Sequence, residues 1–211
     1  MRLSNSLQEN KVHYKNYLLL LVICLLAYWP LSFGLFSVKN DAIHYFLPYR
    51  FNINEAIRNG EFPFWSPYVY LGNPLYGDMQ SGAWNPIVWL FSFIGRYDIT
   101  LFHYENLLYI FLAGVGMYKL TNRLVVHSHT ALLIAVSYML SGFMLSGQLI
   151  NWLAAAAFLP FVIHYYLQTL RITSFSNAAK TGIALFFLLT AGYPSFFIIT
   201  GYILLACLYL L

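Results

Sequence analysis

No charged side chain interrupts the chain between Tyr17 and Phe36, and further apolar runs follow at 101–118, 130–147, 151–170, 178–192 and 194–211. About 20 apolar residues in a helix cross a hydrocarbon core. A backbone in lipid must satisfy its own polar groups, which a helix does internally. The sequence therefore predicts an all-α, polytopic transmembrane helical bundle of about six spans. Residues 1–16 form a polar N-terminal segment, 17–36 the first span, 37–100 an outer loop, and 101–211 about five further helices.

Composition excludes the soluble alternative. Of 211 residues, 60% are hydrophobic and only 9% charged, and the mean hydropathy is +0.64. Soluble domains carry about 25% charged residues, which this chain could not use to cover a surface. Aromatic residues reach 19%, suiting a protein with much surface at the lipid–water boundary. Cys24 and Cys207 lie inside apolar runs without CxxC or Cys/His spacing, so neither a disulfide nor a cysteine-bound metal is expected.

The first apolar run is longer than a signal peptide's, lacks a small-residue cleavage site, and carries Pro30 as a kink in its outer half. Breaks are expected at Gly95-Arg96, Thr121-Asn122-Arg123, Gly147-Gln148 and the polar link from Arg171 to Lys180, while Pro194 suits the first turn of a last helix. The 86–95 piece is too short to span and reads as interfacial or re-entrant. With a cytoplasmic N-terminus, Arg2, Lys11, Lys15, Lys119, Arg123, Arg171 and Lys180 fall inside, against Glu9 alone. Outside fall Lys39, Arg50, Arg58 and Arg96 with Asp41, Glu55, Glu61, Asp78, Asp98 and Glu105. That split is the positive-inside pattern, and it argues against nucleic acid as the reason for the net charge of +4. The end at Leu211, within an apolar run, suggests a fragment of a longer protein.

The outer loop holds most of the polar chemistry. Asn40 or Asp41 can cap an amphipathic interfacial helix running to Asn59, with Gly60 as its stop. The following stretch, Glu61 to Asp78, alternates turn-forming Pro and Gly with Phe62, Phe64, Trp65, Tyr68, Tyr70 and Tyr76. Such a segment is folded, with its rings anchored at the headgroups.

Asn40-Asp41, Tyr45 and Pro48, then Asn59-Gly60-Glu61-Phe62-Pro63-Phe64-Trp65-Ser66-Pro67-Tyr68, Gly72-Asn73-Pro74-Leu75, Gln80-Ser81-Gly82 and Asn85-Pro86 stand in order. This string resembles the first outer loop of YfhO-type bacterial membrane proteins. Gly147-Gln148 with Asn151-Trp152 and Pro160, and Ala191-Gly192-Tyr193-Pro194-Ser195, resemble later stretches of the same family, although Tyr193-Pro194-Ser195 departs from its His-Pro-Gln. The resemblance implies a GT-C-like glycosyltransferase of the bacterial cytoplasmic (inner) membrane. Such enzymes move a sugar from a polyprenyl-phosphate carrier to a cell-envelope glycopolymer or glycolipid on the outer face, with a catalytic Asp on the first outer loop.

On that reading Asp41 is the catalytic base; on the residues alone it is a helix cap or first-turn acid. Asp78 is a turn acid, or a second carboxylate that holds a metal or orients an acceptor. Arg50, Arg58, Lys39 and Arg96 are candidates for the donor phosphate, or else contact headgroups and loop acids. His44, three residues after Asp41, can assist; Glu55 and Glu61 solvate a helix face or pair with Arg58. Glu105 and His103 are expected to snorkel to water from the outer end of their span. His127 and His129 point apart on a helix, and Ala154 to Ala157 with Gly142 and Gly147 serve close helix packing. Whether a divalent cation takes part is left open. Two rivals stand beside the enzyme. One is a transporter or flippase for a lipid-linked saccharide, disfavoured by nearly all-apolar mid-span positions; the other is a non-catalytic partner subunit.

Overall fold

The computed structural model describes residues 2–68, 71–125, 127–145 and 149–210, with side chains described for 14–209 among them. The expected break at Gly147-Gln148, the Tyr70 anchor and the side chains of Arg2, Glu9 and Lys11 lie outside the described residues. The fold is all-α apart from one two-residue ladder. Its elements are α1 (Arg2–Ala27), α2 (Trp29–Ser32), a π-helical turn (Ala42–Phe46), α3 (Leu47–Arg58), β1 (Trp65–Ser66), β2 (Asn73–Pro74) and a 3-10 turn (Met79–Ser81). Then come α4 (Pro86–Ile94), α5 (Ile99–Leu124), α6 (Ser128–Met139), α7 (Gly142–Leu145), α8 (Ile150–Arg171), α9 (Phe175–Thr190) and α10 (Pro194–Leu210).

Several boundaries move from those expected. The polar N-terminal segment is helical from Arg2, and the first helix stops at Ala27, with Pro30 in the first turn of the following α2. The backbone bonds of the first helix end with Tyr28 N to Cys24 O and resume with Leu31 N and Ser32 N, both to Tyr28 O, while the Ser32 hydroxyl donates to Leu25 O at 3.0 Å. Thr121-Asn122-Arg123 is no break: α5 continues to Leu124, and the Thr121 hydroxyl folds back onto Met117 O at 2.7 Å within it. Lys180 lies within α9 rather than in a link, since only residues 172–174 separate α8 from α9. Among the described residues one helix, Ile150–Arg171, is by itself long and apolar enough to cross a membrane, and Tyr14–Ala27, Ser128–Met139, Phe175–Thr190 and Pro194–Tyr209 are apolar but shorter.

Small residues make the centre. Ala154 to Ala157 on α8 are all buried, α8 packs chiefly on α5 and α9, and Gly116 on α5 faces the Phe161 ring and Ala157 O so closely that a Cβ would collide. Gly142, expected to serve packing, instead faces open space; Gly114, against Met139, takes that part. Pro160 sits inside α8 and has no N–H for Ala156 O. Tyr138 of α6 supplies the missing donor to that oxygen at 2.9 Å, so the proline costs no unpaired carbonyl.

Side-chain contacts fix the ends of the bundle. Asn16 bonds Tyr118 at 2.7 Å and Ser128 at 3.0 Å, while Tyr28 bonds Met139 O at 3.0 Å and Cys24 approaches Leu107 O. Thus α1 runs antiparallel to α5. Lys119 reaches Tyr165, and Arg50 reaches both Glu105 and Asn151, so α5 and α8 run parallel. One pole gathers Lys15, Lys119, Arg123, Arg171 and Lys180, and the other carries Asp41, Asp78, Asp98, Glu105 and the loop. Between the poles the outer helices expose aliphatic side chains, among them Leu18 and Leu26 on α1, Ile183 on α9, and Ile198, Ile199, Leu205 and Leu208 on α10.

Candidate functional site

The loop is bound to α3 and to the bundle by buried polar groups. Asn54 on α3 donates to Ser92 O and Gly95 O at 3.0 and 2.8 Å and accepts from Tyr97 N at 3.0 Å, satisfying the end of α4. Asn52 donates to Ser66 on β1, and Asn73 on β2 donates to the Tyr49 hydroxyl. The β1–β2 pairing is antiparallel, with Trp65 opposite Pro74. Asn85 caps α4 through Ile87 N and donates to Tyr109 of α5 at 2.9 Å. This is the folded, ring-bearing loop that the sequence leads one to expect.

Arg50 is its hub. Positions 46, 49, 50, 53 and 57 share the buried face of α3, and Arg50 lies on it between apolar neighbours. Its guanidinium pairs with Glu105 Oε1 at 3.4 Å, donates to Asn151 Oδ1 at 3.2 Å and donates to Ser81 O. Burial is the largest influence on the Arg50 pKa and lowers it, but Glu105 together with the nearby Tyr97 and Tyr109 more than offsets it, and the net direction is up. The other Glu105 oxygen accepts from the Tyr97 hydroxyl. Glu105 and His103 therefore do not snorkel. Both are buried, because the loop folds over the end of α5 and excludes water there.

The same contacts clamp the segment that carries Asp78. Ser81 O is held by Arg50, and Gln80 O accepts from Asn151 Nδ2 at 2.9 Å. Gly192 lies against Met79 O, and Gly82, at φ +84°, lies under the Arg50 guanidinium. Asp78 is then fixed twice: Oδ1 accepts from Gln80 N at 2.9 Å, as a turn acid does, and Oδ2 accepts from the Tyr45 hydroxyl at 3.1 Å. Burial, the Tyr49 hydroxyl and Asp78 raise the Tyr45 pKa far above the ordinary phenol range, so Tyr45 stays a donor.

Asp41 stands one turn before Tyr45 and is exposed. Asn40 adopts φ +55°, Asp41 itself is helical, and its carboxylate makes no cap bond. The expected capping role is therefore absent. The main-chain oxygen of Asn40 takes up Ile43 N and His44 N instead, leaving the Asp41 carboxylate uncommitted.

The remaining candidates scatter. Lys39 is exposed at the lip of a cavity of about 250 Å³, lined also by Tyr28, Asn106, Ile110 and Leu153. Arg96 lies over the Phe51 ring at 5.6 Å, beside Asp98 in an open groove. Arg58 and His44 are exposed, and Arg58 forms no ion pair with Glu55 or Glu61 among the described residues. Of the four proposed phosphate-binding cations, Arg50 alone has its guanidinium fully engaged inside the protein. Among the described residues no three His, Cys, Asp or Glu side chains converge as a metal site would require.

Tyr45, Tyr97 and Asn151 enter the site without having been singled out for chemistry. Tyr45 and Asn151 stand in the sequence only within the stretches that carry the resemblance. The chain matches no family model, no curated protein and no solved structure.

Proposed function

We propose that this is a polytopic inner-membrane protein with a cytoplasmic N-terminus, and a GT-C-like glycosyltransferase acting at the outer face. The membrane part is supported by exposed aliphatic faces on α1, α9 and α10, which water would penalise and lipid does not. Two short apolar helices are extended by the turns that follow them, Tyr14–Ala27 by α2 to Ser32 and α6 by α7 to Leu145. Each then approaches about 27 Å at 1.5 Å per residue, close to a hydrocarbon core. The basic pole faces the cytoplasm, as short Lys/Arg-rich loops do.

The observation that carries the enzymatic reading is Asp41. It is an exposed carboxylate that makes no cap bond, at the acidic pole, next to Lys39 and one turn from the Tyr45–Asp78 pair. In the proposed reaction Asp41 takes the proton of an acceptor hydroxyl. The freed oxygen attacks the anomeric carbon of a polyprenyl-phosphate-linked sugar, and the bond to the phosphate oxygen breaks with its electron pair leaving on the phosphate. Lys39, two residues before Asp41 and exposed, is the cation placed to offset that charge. Asp78, held by Tyr45, orients the acceptor.

The test is the full-length protein in native membranes, supplied with a panel of radiolabelled polyprenyl-phosphate hexoses. Asp41→Asn is expected to reduce transfer by at least about 100-fold, the usual contribution of a general base, with unchanged membrane abundance. Retained transfer by this variant would remove Asp41 from catalysis, and absence of any transfer by the wild type would remove the enzymatic reading.

A further inference from the structure

Among the described residues the basic pole carries no carboxylate. No Asp or Glu follows Glu105 in the sequence, yet Lys119, Arg123, Arg171 and Lys180 do. The acids Asp41, Glu55, Glu61, Asp78, Asp98 and Glu105 belong to the loop pole, and the side chain of Glu9 lies outside the described residues. Arg50–Glu105 is the single ion pair among the described residues. Lys119 and Lys180 therefore have no carboxylate partner among them.

These two lysines border an apolar cleft of about 200 Å³ between α5, α8 and α9, lined by Phe158, Phe161, Tyr165, Lys180, Ile183 and Phe187, among others. Lys119 reaches its rim from α5, with Nζ 5.8 Å from the Phe161 ring centre and 3.5 Å from the Tyr165 hydroxyl. Phe158 and Phe187 stack at 4.7 Å to form the floor. Cations at one end of an apolar interhelical slot match a ligand with an anionic head and a hydrocarbon tail. Basic pockets between membrane helices take acidic headgroups on this side of a bilayer.

We propose that this cleft seats one acidic phospholipid of the cytoplasmic leaflet, its phosphate between Lys119 and Lys180 and an acyl chain along Phe161 and Phe187. The site rests on the membrane reading above and is independent of the glycosyltransferase reading, since it lies at the pole opposite Asp41.

The test uses the full chain, purified in mixed micelles containing equal amounts of phosphatidylglycerol and phosphatidylcholine, with bound lipid read by native mass spectrometry. Phosphatidylglycerol is expected to be preferred about fivefold per lysine, the usual gain for a basic residue at an acidic surface. The double variant Lys119→Gln/Lys180→Gln is expected to lose the preference, and Lys15→Gln, exposed at the same pole and not lining the cleft, to keep it. Should the double variant not fold, Ile183→Trp, which fills the cleft with every charge intact, is expected to abolish retention instead. Equal retention of the two lipids by the wild type, or full displacement by glycerol phosphate, would overturn the site. A chain that stays in solution without detergent and fails to float with phosphatidylcholine vesicles would instead overturn the membrane reading itself.

Discussion

Arg50 on α3 and Glu105 on α5 meet at 3.4 Å with neither side chain exposed to solvent. Through this pair, with Ser81 O and Asn151 as further partners of Arg50, the outer loop is locked to two helices of the bundle at once. A charge buried this deeply is tolerated because its partners are in place; remove one and the other is stranded.

Arg50→Met should therefore lower stability by about 3–5 kcal/mol, the usual cost of orphaning one member of a buried pair. The double variant Arg50→Met/Glu105→Leu should be far less destabilised than the sum of the two single changes, because neither charge is then left alone. Thermal unfolding of the detergent-solubilised protein measures all three. Additive single effects would mean that the two residues are not energetically coupled.

Gly82 and Gly60 both adopt positive φ, +84° and +77°, but their surroundings differ. A Cβ at Gly82 would enter the Arg50 guanidinium, whereas a Cβ at Gly60 meets nothing. Gly60→Ala should cost only the left-handed backbone penalty, about 1–2 kcal/mol. Gly82→Ala should cost clearly more and should also displace Arg50 from Glu105. Equal losses of melting temperature in the two variants would show that the guanidinium does not pack on Gly82.

Asp41 and Asp78 separate in the same assay. The Asp78 carboxylate accepts from Tyr45 and from Gln80 N, so Asp78→Asn, which puts an NH2 group in place of one acceptor, should cost about 1–3 kcal/mol. Asp41→Asn should stay within about 0.5 kcal/mol of the parent, as exposed substitutions away from special contacts do. A large loss at Asp41 would assign that carboxylate a structural partner.

The helices and the folded loop were legible because apolar runs, Pro30, Gly60, Gly95 and Pro194 punctuate the sequence where the structure turns. Less legible was where charge goes. Arg50 has the same sequence neighbourhood as any amphipathic-helix cation, and its burial depends on Glu105 and Asn151, which lie 55 and 101 positions away. The helical phase did contain the clue, since Arg50 falls on one face with Phe46, Tyr49, Ile53 and Ile57. A charged residue on an apolar face and a carboxylate in an apolar helix call for each other, although pattern alone does not say which pairs will meet. Asp41 failed as a cap for a local reason: the left-handed turn at Asn40 hands the first helical N–H groups to a main-chain oxygen.

The two poles make the arrangement of the chain in a membrane directly measurable. Asp41 and Arg171 are both exposed and belong to opposite ends of the bundle. Cys24 and Cys207 are free thiols, so a background in which both are alanine removes unwanted reaction. In that background, Asp41→Cys should react with a membrane-impermeant maleimide in intact cells, and Arg171→Cys only after permeabilisation. On the proposed topology short basic loops are retained on the cytoplasmic side, so the pole with Lys119, Arg171 and Lys180 is expected inside and the Asp41 pole outside. Labelling of both positions from outside would contradict a spanning bundle. Labelling of position 171 alone would invert it, placing the carboxylate proposed for catalysis on the side away from the envelope acceptor.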